Sequence, residues 1–414
     1  MKDFFFLAML ASVVPAAAAD LQTATIAVNQ LGLDLLPRAG ASTDNVLLSP
    51  YSIQVALAMT YAGADGATRA EMSRVLHFPA NDAELHASFA ALAQAFETAE
   101  APQNKLRRSG RPNETIELYI ANRLFGQQGF EFRAPFLDVL KDRYHAPFET
   151  LDFRRDPEGA RRHINGWVEE ETRQKILDLI PSGGLNTYTR LVLTNALYFK
   201  APWAVPFKKI ATNDLPFQAH GRKPYAVPTM RKQFSAPYSR GNSFTAVALP
   251  YAGRDLQFLI LLPDTIDGLA ALEKEITPEF LVQCATMSPQ LVALELPKFK
   301  LRPTTLPLGK TLQALGLNTV FDQPRGSANF GRMAPRRPDD YLFIGEVFHK
   351  TFLALDEEGT EAAAATSSIG LVMLGIVAEP PQPIVVKVDH PFLFAIQHRD
   401  SGACLFLGRV TDPR

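Results

Sequence analysis

Cysteine is almost missing from this chain: Cys284 and Cys404 are the only two in 414 residues, which excludes a scaffold stapled by several disulfides. An oxidising compartment would permit one bond between them, but their spacing does not say whether they meet. Neither sign of charge is in surplus. The formal net charge is −1, which argues against a nucleic-acid role driven by overall charge. Beyond the N-terminus no apolar run reaches the roughly 20 residues that a membrane span needs. The eight histidines are scattered, and no pair stands at metal-ligand spacing beside cysteine or carboxylate, so no metal or other cofactor is expected. Gly-x-Ser-x-Gly, Ser-x-x-Lys with its partners and His-Glu-x-x-His are missing too. An enzyme is therefore the minor reading, although a triad assembled only in space leaves no local trace.

What is present is an ordinary globular composition, 47% hydrophobic and 21% charged. Length alone suggests two or three domains, yet no break in composition and no internal repeat divides the chain. The first residues read as a signal peptide: Lys2, an apolar run from Phe4 to Val14, then Pro15 and Ala16-Ala17-Ala18-Ala19 before Asp20. Cleavage after Ala19 and export, periplasmic or secreted, are the expectation, with 20–414 as one soluble domain. The alternative is a buried N-terminal helix.

Helical spacing runs over Thr25 to Leu36, and Ile53 to Ala62 is apolar nearly all round, which predicts a buried helix. Further helices are expected over Thr68–Leu76, Ala134–Tyr144, Arg161–Ile180, Gly268–Glu275 and Thr311–Leu315. Strands are read at Ile116–Phe125, Thr245–Leu249, Leu256–Leu262, Leu291–Leu296, Ile384–Val386 and Phe392–Ile396. The run from Arg190 to Lys200 is too β-rich for a helix and too apolar for an edge strand, so it predicts a central strand. Ala101 to Glu114 is polar and basic, with Lys105, Arg107, Arg108 and Arg111. It reads as an exposed loop, with a polyanion site as the lesser alternative. Asn113-Glu114-Thr115 matches a glycosylation sequon, a common chance pattern.

The most unusual stretch is Glu357-Glu358-Gly359-Thr360-Glu361-Ala362-Ala363-Ala364-Ala365-Thr366-Ser367-Ser368, between two segments that read as buried strands. About thirty residues connect those strands, a length that is functional or disordered when it occurs inside a domain. Gly359 and the Thr-Ser-Ser run weaken a helix there. Extended, the stretch would turn Thr360, Ala362, Ala364 and Thr366 to one face, small enough to lie beneath a sheet, and Glu361, Ala363, Ala365 and Ser367 to the other. An alanine-rich linker or a short surface helix is the bland alternative.

This segment resembles the reactive-loop hinge of an inhibitory serpin, a serine protease inhibitor. Other stretches resemble the same family: Asn-Val-Leu-Leu-Ser-Pro-Tyr-Ser-Ile from Asn45, the strand to Lys200 with Trp203 after it, Leu-Pro-Lys-Phe-Lys-Leu around Lys298, and His390-Pro391-Phe392-Leu393-Phe394. Together they run from about Asn45 to Pro413. The resemblance, with the leader-like N-terminus, is to an exported bacterial-type member. It implies an α+β fold of one domain, with three β-sheets, about eight or nine helices and an exposed reactive-centre loop over about 357–383.

It also implies a mechanism. A serine, or cysteine, protease would cleave the loop, form an acyl-enzyme and be trapped covalently as the hinge inserts into the central sheet. The inhibitor would be a monomer whose partner is that protease. The hinge would be Glu357, Gly359, Thr360, Ala362, Ala363, Ala364, Ala365 and Thr366. Lys298 and Glu357 would pair at the top of the sheet near Trp203, and Asn195, His349, Ser49 and Ser52 would form a polar cluster beneath it. Family spacing puts the scissile bond between Met373 and Leu374. The segment after it is longer than usual, which leaves the bond open over about Leu371–Ala378. No Lys or Arg occurs between Glu357 and Lys387, so chymotrypsin-, elastase- or subtilisin-like proteases with apolar primary pockets are expected. The competing reading is a non-inhibitory serpin acting as chaperone, carrier or storage protein. Such members carry charged, bulky or proline residues in the hinge, and Gly359 to Thr366 carries none beyond Glu361.

Overall fold

A computed structural model of the chain describes residues 16–100, 116–301, 305–360 and 382–414. Among them are nine α-helices: α1 (Ala16–Leu35), α2 (Pro50–Gly63), α3 (Gly66–Val75), α4 (Asp82–Glu100), α5 (Ala134–Tyr144), α6 (Pro157–Glu171), α7 (Leu269–Glu275), α8 (Pro278–Cys284) and α9 (Gly309–Ala314). The strands of the first half are β1 (Val46–Leu48), β2 (Glu117–Gln127), β3 (Glu149–Leu151), β4 (Leu191–Pro202), β5 (Asn213–Phe217), β6 (Tyr225–Arg240), β7 (Phe244–Pro250) and β8 (Leu256–Pro263). Those of the second are β9 (Pro289–Pro297), β10 (Phe299–Leu301), β11 (Leu306–Pro307), β12 (Ile344–Leu355), β13 (Gly359–Thr360), β14 (Ile384–Lys387), β15 (Phe392–His398) and β16 (Cys404–Val410).

The apolar run that predicted a central strand is β4, buried along its whole length except at Lys200. It lies inside a seven-stranded sheet ordered β10–β12–β13–β4–β2–β3, with β11 beside β12. A residue buried on both faces of a sheet must be apolar or paired, which is why β4 reads as a continuous hydrophobic run rather than an alternating one. The remaining strands form one nine-stranded network, β1–β16–β15–β8–β7–β6–β9–β14 with β5 beside β6. The 16-residue β6 serves two neighbours in turn, β9 along Thr229–Pro237 and β7 along Tyr238–Arg240. The three expected sheets are thus present, two of them sharing β6.

The sheet with β4 has a covered face on either side. On one side α2 lies beneath it, with Ile53, Ala56, Leu57 and Ala58 fully buried, as its all-round apolar sequence requires. On the other, Ile164 and Val168 of α6 pack with Phe125, Val192, Ala196 and Phe348 of the sheet. This helix departs from the expected Arg161–Ile180: it stops at Glu171. The Thr172 hydroxyl donates to Val168 O at 2.7 Å and accepts from Ile176 N at 3.2 Å, and Arg173 and Gln174 take positive φ. Ile176, Leu179 and Ile180 are buried without being helical. Their helical spacing was real, but a side-chain hydroxyl competing for backbone groups ended the helix first.

The N-terminal segment is described only from Ala16 onward. Residues 1–15 lie outside the described residues, and Ala16–Ala19, read as a cleavage site, form the first turn of α1. The helix runs on without a break into Ala24, Ala27, Val28 and Leu31, which are buried in the main core.

Candidate functional site

β4 and β12 run parallel and pair directly, from Ile344 opposite Leu191 to Phe352 opposite Tyr198. Beyond that seam they part, and the two residues of β13 lie between them. Thr360 pairs with Leu355 on one side and Ala201 on the other, and Gly359 with Pro202, all antiparallel. The start of the long connection is therefore already a strand wedged into the mouth of the seam. At Gly359 the backbones approach so closely that a Cβ would collide with the Ala201 carbonyl oxygen and the Pro202 Cα.

A turn anchors this wedge. The Asp356 carboxylate accepts from Glu358 N at 2.9 Å and Gly359 N at 3.3 Å, and Asp356 N donates to Gly359 O at 2.9 Å. Burial raises the Asp356 pKa above the ordinary carboxylate value. Trp203 clasps the same turn, its backbone N donating to Glu358 O at 2.8 Å and its indole Nε1 to Asp356 O at 3.0 Å. Phe207 N donates to Glu357 O at 2.8 Å. Glu357 points inward, where Lys298 Nζ at 2.8 Å and the Thr212 hydroxyl at 2.8 Å each bond one carboxylate oxygen. Burial pushes this carboxyl up, but Lys298 and Thr212 outweigh it and hold its pKa below the ordinary value. The expected pair is therefore nearly buried on the Glu357 side, only Lys298 being half-exposed.

Lower in the seam, the expected polar cluster is a chain of hydrogen bonds. Ser49 N donates to His349 Nε2 at 3.1 Å, and His349 Nδ1 bonds Asn195 Oδ1 across the seam. Asn195 Nδ2 donates to Asn122 Oδ1 at 3.0 Å, which also accepts from the Ser52 hydroxyl at 3.2 Å. The Ser49 hydroxyl caps α2 by accepting from Ser52 N. Burial pushes the His349 pKa down to about 3, so the ring is neutral, accepting at one nitrogen and donating at the other.

Ser49, Ser52, Asn195 and His349 thus meet in one cluster, and Lys298, Trp203, Glu357, Gly359 and Thr360 meet in another. Ala362, Ala363, Ala364, Ala365, Thr366, Met373 and Leu374 lie outside the described residues, as do Lys105–Arg111 and Asn113. Asn122, Thr212, Asp356 and Tyr251, whose hydroxyl lies 2.6 Å from that of Thr360, were missed. Asn122 carried no signal, since β2 also holds Glu117, Arg123 and Gln127. Cys284 and Cys404 are both free and buried, and burial pushes both thiols up, Cys404 to about 12. Among the described residues no group of three His, Cys, Asp or Glu is placed to hold a metal ion, and no helix is long and apolar enough to cross a membrane.

Comparison with known proteins shows the family. The model of the serpin (serine protease inhibitor) family matches residues 26–413. A leukocyte elastase inhibitor of Xenopus tropicalis is 38% identical over 379 residues, 90% of this chain and 94% of that protein. Serpin B6 of Macaca fascicularis is 37% identical over 390 residues, 92% and 97% of the two chains. The crystal structure of Serpin48 from the insect Tenebrio molitor superposes with a TM-score of 0.76 at 31% identity, covering 95% of this chain and 99% of that one. The chain belongs to the serpin family.

These comparisons overturn the expected export. The leukocyte elastase inhibitors and serpins B6 and B10 among the relatives are vertebrate serpins of intracellular type that lack signal peptides, so neither a bacterial type nor an exported location is carried over to this chain.

Proposed function

We propose that this serpin is a suicide inhibitor of serine endopeptidases with apolar primary pockets. The carrying observation is the wedge: Gly359 and Thr360 already lie between β4 and β12, paired with both. The serine of the protease attacks the Met373 carbonyl, the amine of Leu374 leaves, and the acyl ester tethers the protease to the freed hinge. Continuing the antiparallel register of Thr360, the hinge enters the seam with Ala362 opposite Phe199, Ala364 opposite Leu197 and Thr366 opposite both Asn195 and His349. Each added residue gains ladder bonds to two neighbours, and the small even-numbered side chains turn toward the α2 face of the sheet.

Release of the β4–β12 pairing is the cost of entry, and the His349–Asn195 bond is part of it. Thr366 stands where a hydroxyl can replace the broken contact, so no buried polar group is left alone. The absence of Lys and Arg from the loop supports an apolar primary pocket, and so does the relatives' name as inhibitors of an elastase. The complex would be one inhibitor monomer covalently bound to one protease.

Incubation with chymotrypsin, an elastase and subtilisin, followed by denaturing gels and intact mass, tests this. A denaturant-stable complex with a released peptide beginning at Leu374 is expected. Clean cleavage with no complex and no rise in melting temperature would identify a non-inhibitory serpin instead. A rise without a complex would mean that the loop inserts but these proteases are the wrong targets.

A further inference from the structure

We propose that Tyr251 is a positioning residue for strand insertion: its hydroxyl holds Thr360 in the mouth of the seam, so that insertion starts from a first residue already docked. This rests on the inhibitory reading above. Tyr251 follows β7, 109 residues before Thr360 in sequence, and no local motif marks it. Its ring stacks on Trp203 with centroids 4.7 Å apart and planes 11° from parallel, and it meets Phe199 edge-on at 5.2 Å. Backbone bonds fix its base as well: Tyr251 N donates to Leu256 O at 2.9 Å, and Tyr251 and Trp203 form an isolated β-bridge. The ring is confined from both sides, which delivers its hydroxyl to one point, 2.6 Å from Thr360 Oγ1.

Both side chains are fully buried. With the hinge docked, each hydroxyl satisfies the other. With the hinge withdrawn, Thr360 finds water, but the Tyr251 hydroxyl stays behind Trp203 without a partner, a state that buried polar groups avoid. The bond therefore biases the hinge toward the docked position. That bias matters at one moment. Once the acyl-enzyme has formed, hydrolysis of the ester competes with insertion, and a hinge whose first pair is in place has no search to make for the seam. Trp203 couples the two halves of the device, because it both stacks on Tyr251 and bonds the carbonyls of Asp356 and Glu358.

Tyr251→Phe keeps the ring stack and removes only the hydroxyl. With a protease that the wild type traps, the number of inhibitor molecules cleaved per protease trapped should rise about threefold to tenfold, from the loss of one buried hydrogen bond. The rate of loop cleavage should change less than about twofold, because the bond acts after docking. Thr360→Val removes the other hydroxyl. The double variant leaves neither group stranded, so its partition should return toward wild type. Loss of ring packing would not give that recovery.

A readout that needs no protease separates this from failure of the inhibitory reading. Only two tryptophans occur, Trp167 and Trp203, so in a Trp167→Phe background Trp203 is the sole reporter. Tyr251→Phe should raise acrylamide quenching of Trp203 as the hinge leaves the mouth, whether or not any protease is trapped. Unchanged partition in Tyr251→Phe, additive effects in the double variant, or unchanged quenching would each overturn the proposal.

Discussion

The mouth and the middle of the β4–β12 seam face the same task with opposite chemistry. At the mouth the strands are apart, and Gly359 and Thr360 fill the gap with contacts that an entering strand keeps: the Trp203 clasp, the Lys298–Glu357 pair and the Tyr251 hydroxyl. In the middle the strands touch, and the His349–Asn195 bond across them is one that an entering strand must break. The first region holds a hinge ready, and the second keeps the sheet shut until the hinge is free. A buried polar chain suits the second task because it is stable while complete and costly when only half made.

The largest effect expected on this contrast comes from blocking entry. Ala364→Arg would bring a guanidinium beside Leu197 and Thr351, both buried, and an unpaired buried charge costs several kcal/mol. Trapping should be abolished and the inhibitor turned over as a substrate; a titration of residual protease that still ends near one-to-one would remove the insertion mechanism.

Acid should act next, at the middle. With a folded pKa of about 3, His349 stays neutral while an unfolded histidine takes up a proton near pH 6.5. The unfolded state then binds more protons, so stability falls as pH drops from about 6.5 toward 3. His86, pushed down to about 4 by burial, adds to the same loss. His390 acts in the other direction and only at higher pH: burial lowers its pKa, but Asp389 and Pro263 O outweigh this and raise it. That contribution is complete below about pH 6.5 and fades as pH rises through its folded pKa. Urea midpoints from pH 7 to pH 4 should fall, and His349→Gln should flatten the slope; an equal slope in the variant would remove His349 as a cause.

A smaller effect is expected at the mouth. Lys298→Ala leaves Glu357 to Thr212 alone, a loss on the order of 1–2 kcal/mol given that the lysine is half-exposed. Size-exclusion chromatography after mild heating should show more polymer than wild type, and unchanged monomer would count against a role in holding the hinge. Least of all, Asn122→Ala removes one acceptor shared by Asn195 and Ser52, worth about 1 kcal/mol. It should lower the melting temperature by a few degrees without changing the partition between trapping and turnover.

Several parts of this architecture were legible because they depend on neighbours in the chain. The continuous apolar run of β4, the all-round apolar α2 and the small-residue hinge each follow from local period or composition. The long β6 and the helix α4, whose Leu85, Phe89, Leu92 and Phe96 carry the helical period, were also written locally but were not read. The pairing of Lys298 with Glu357 and of Asn195 with His349 came from family likeness, since nothing in sequence spacing brings those residues together. Tyr251, Thr212 and Asn122 carried no such signal, because each acts through one hydroxyl or amide whose partner lies far away in sequence.

By itself, then, the sequence determined the elements, the family and a hinge small enough to enter a sheet, because side-chain size and period act along the chain. Only the tertiary structure decided that the seam is shut in the middle, that its mouth is already occupied, and that a distant tyrosine holds the first residue there. Those are relations between strands far apart in sequence, and burial sets their energies: removal from water makes each hydroxyl, amide and carboxylate depend on the one partner within reach.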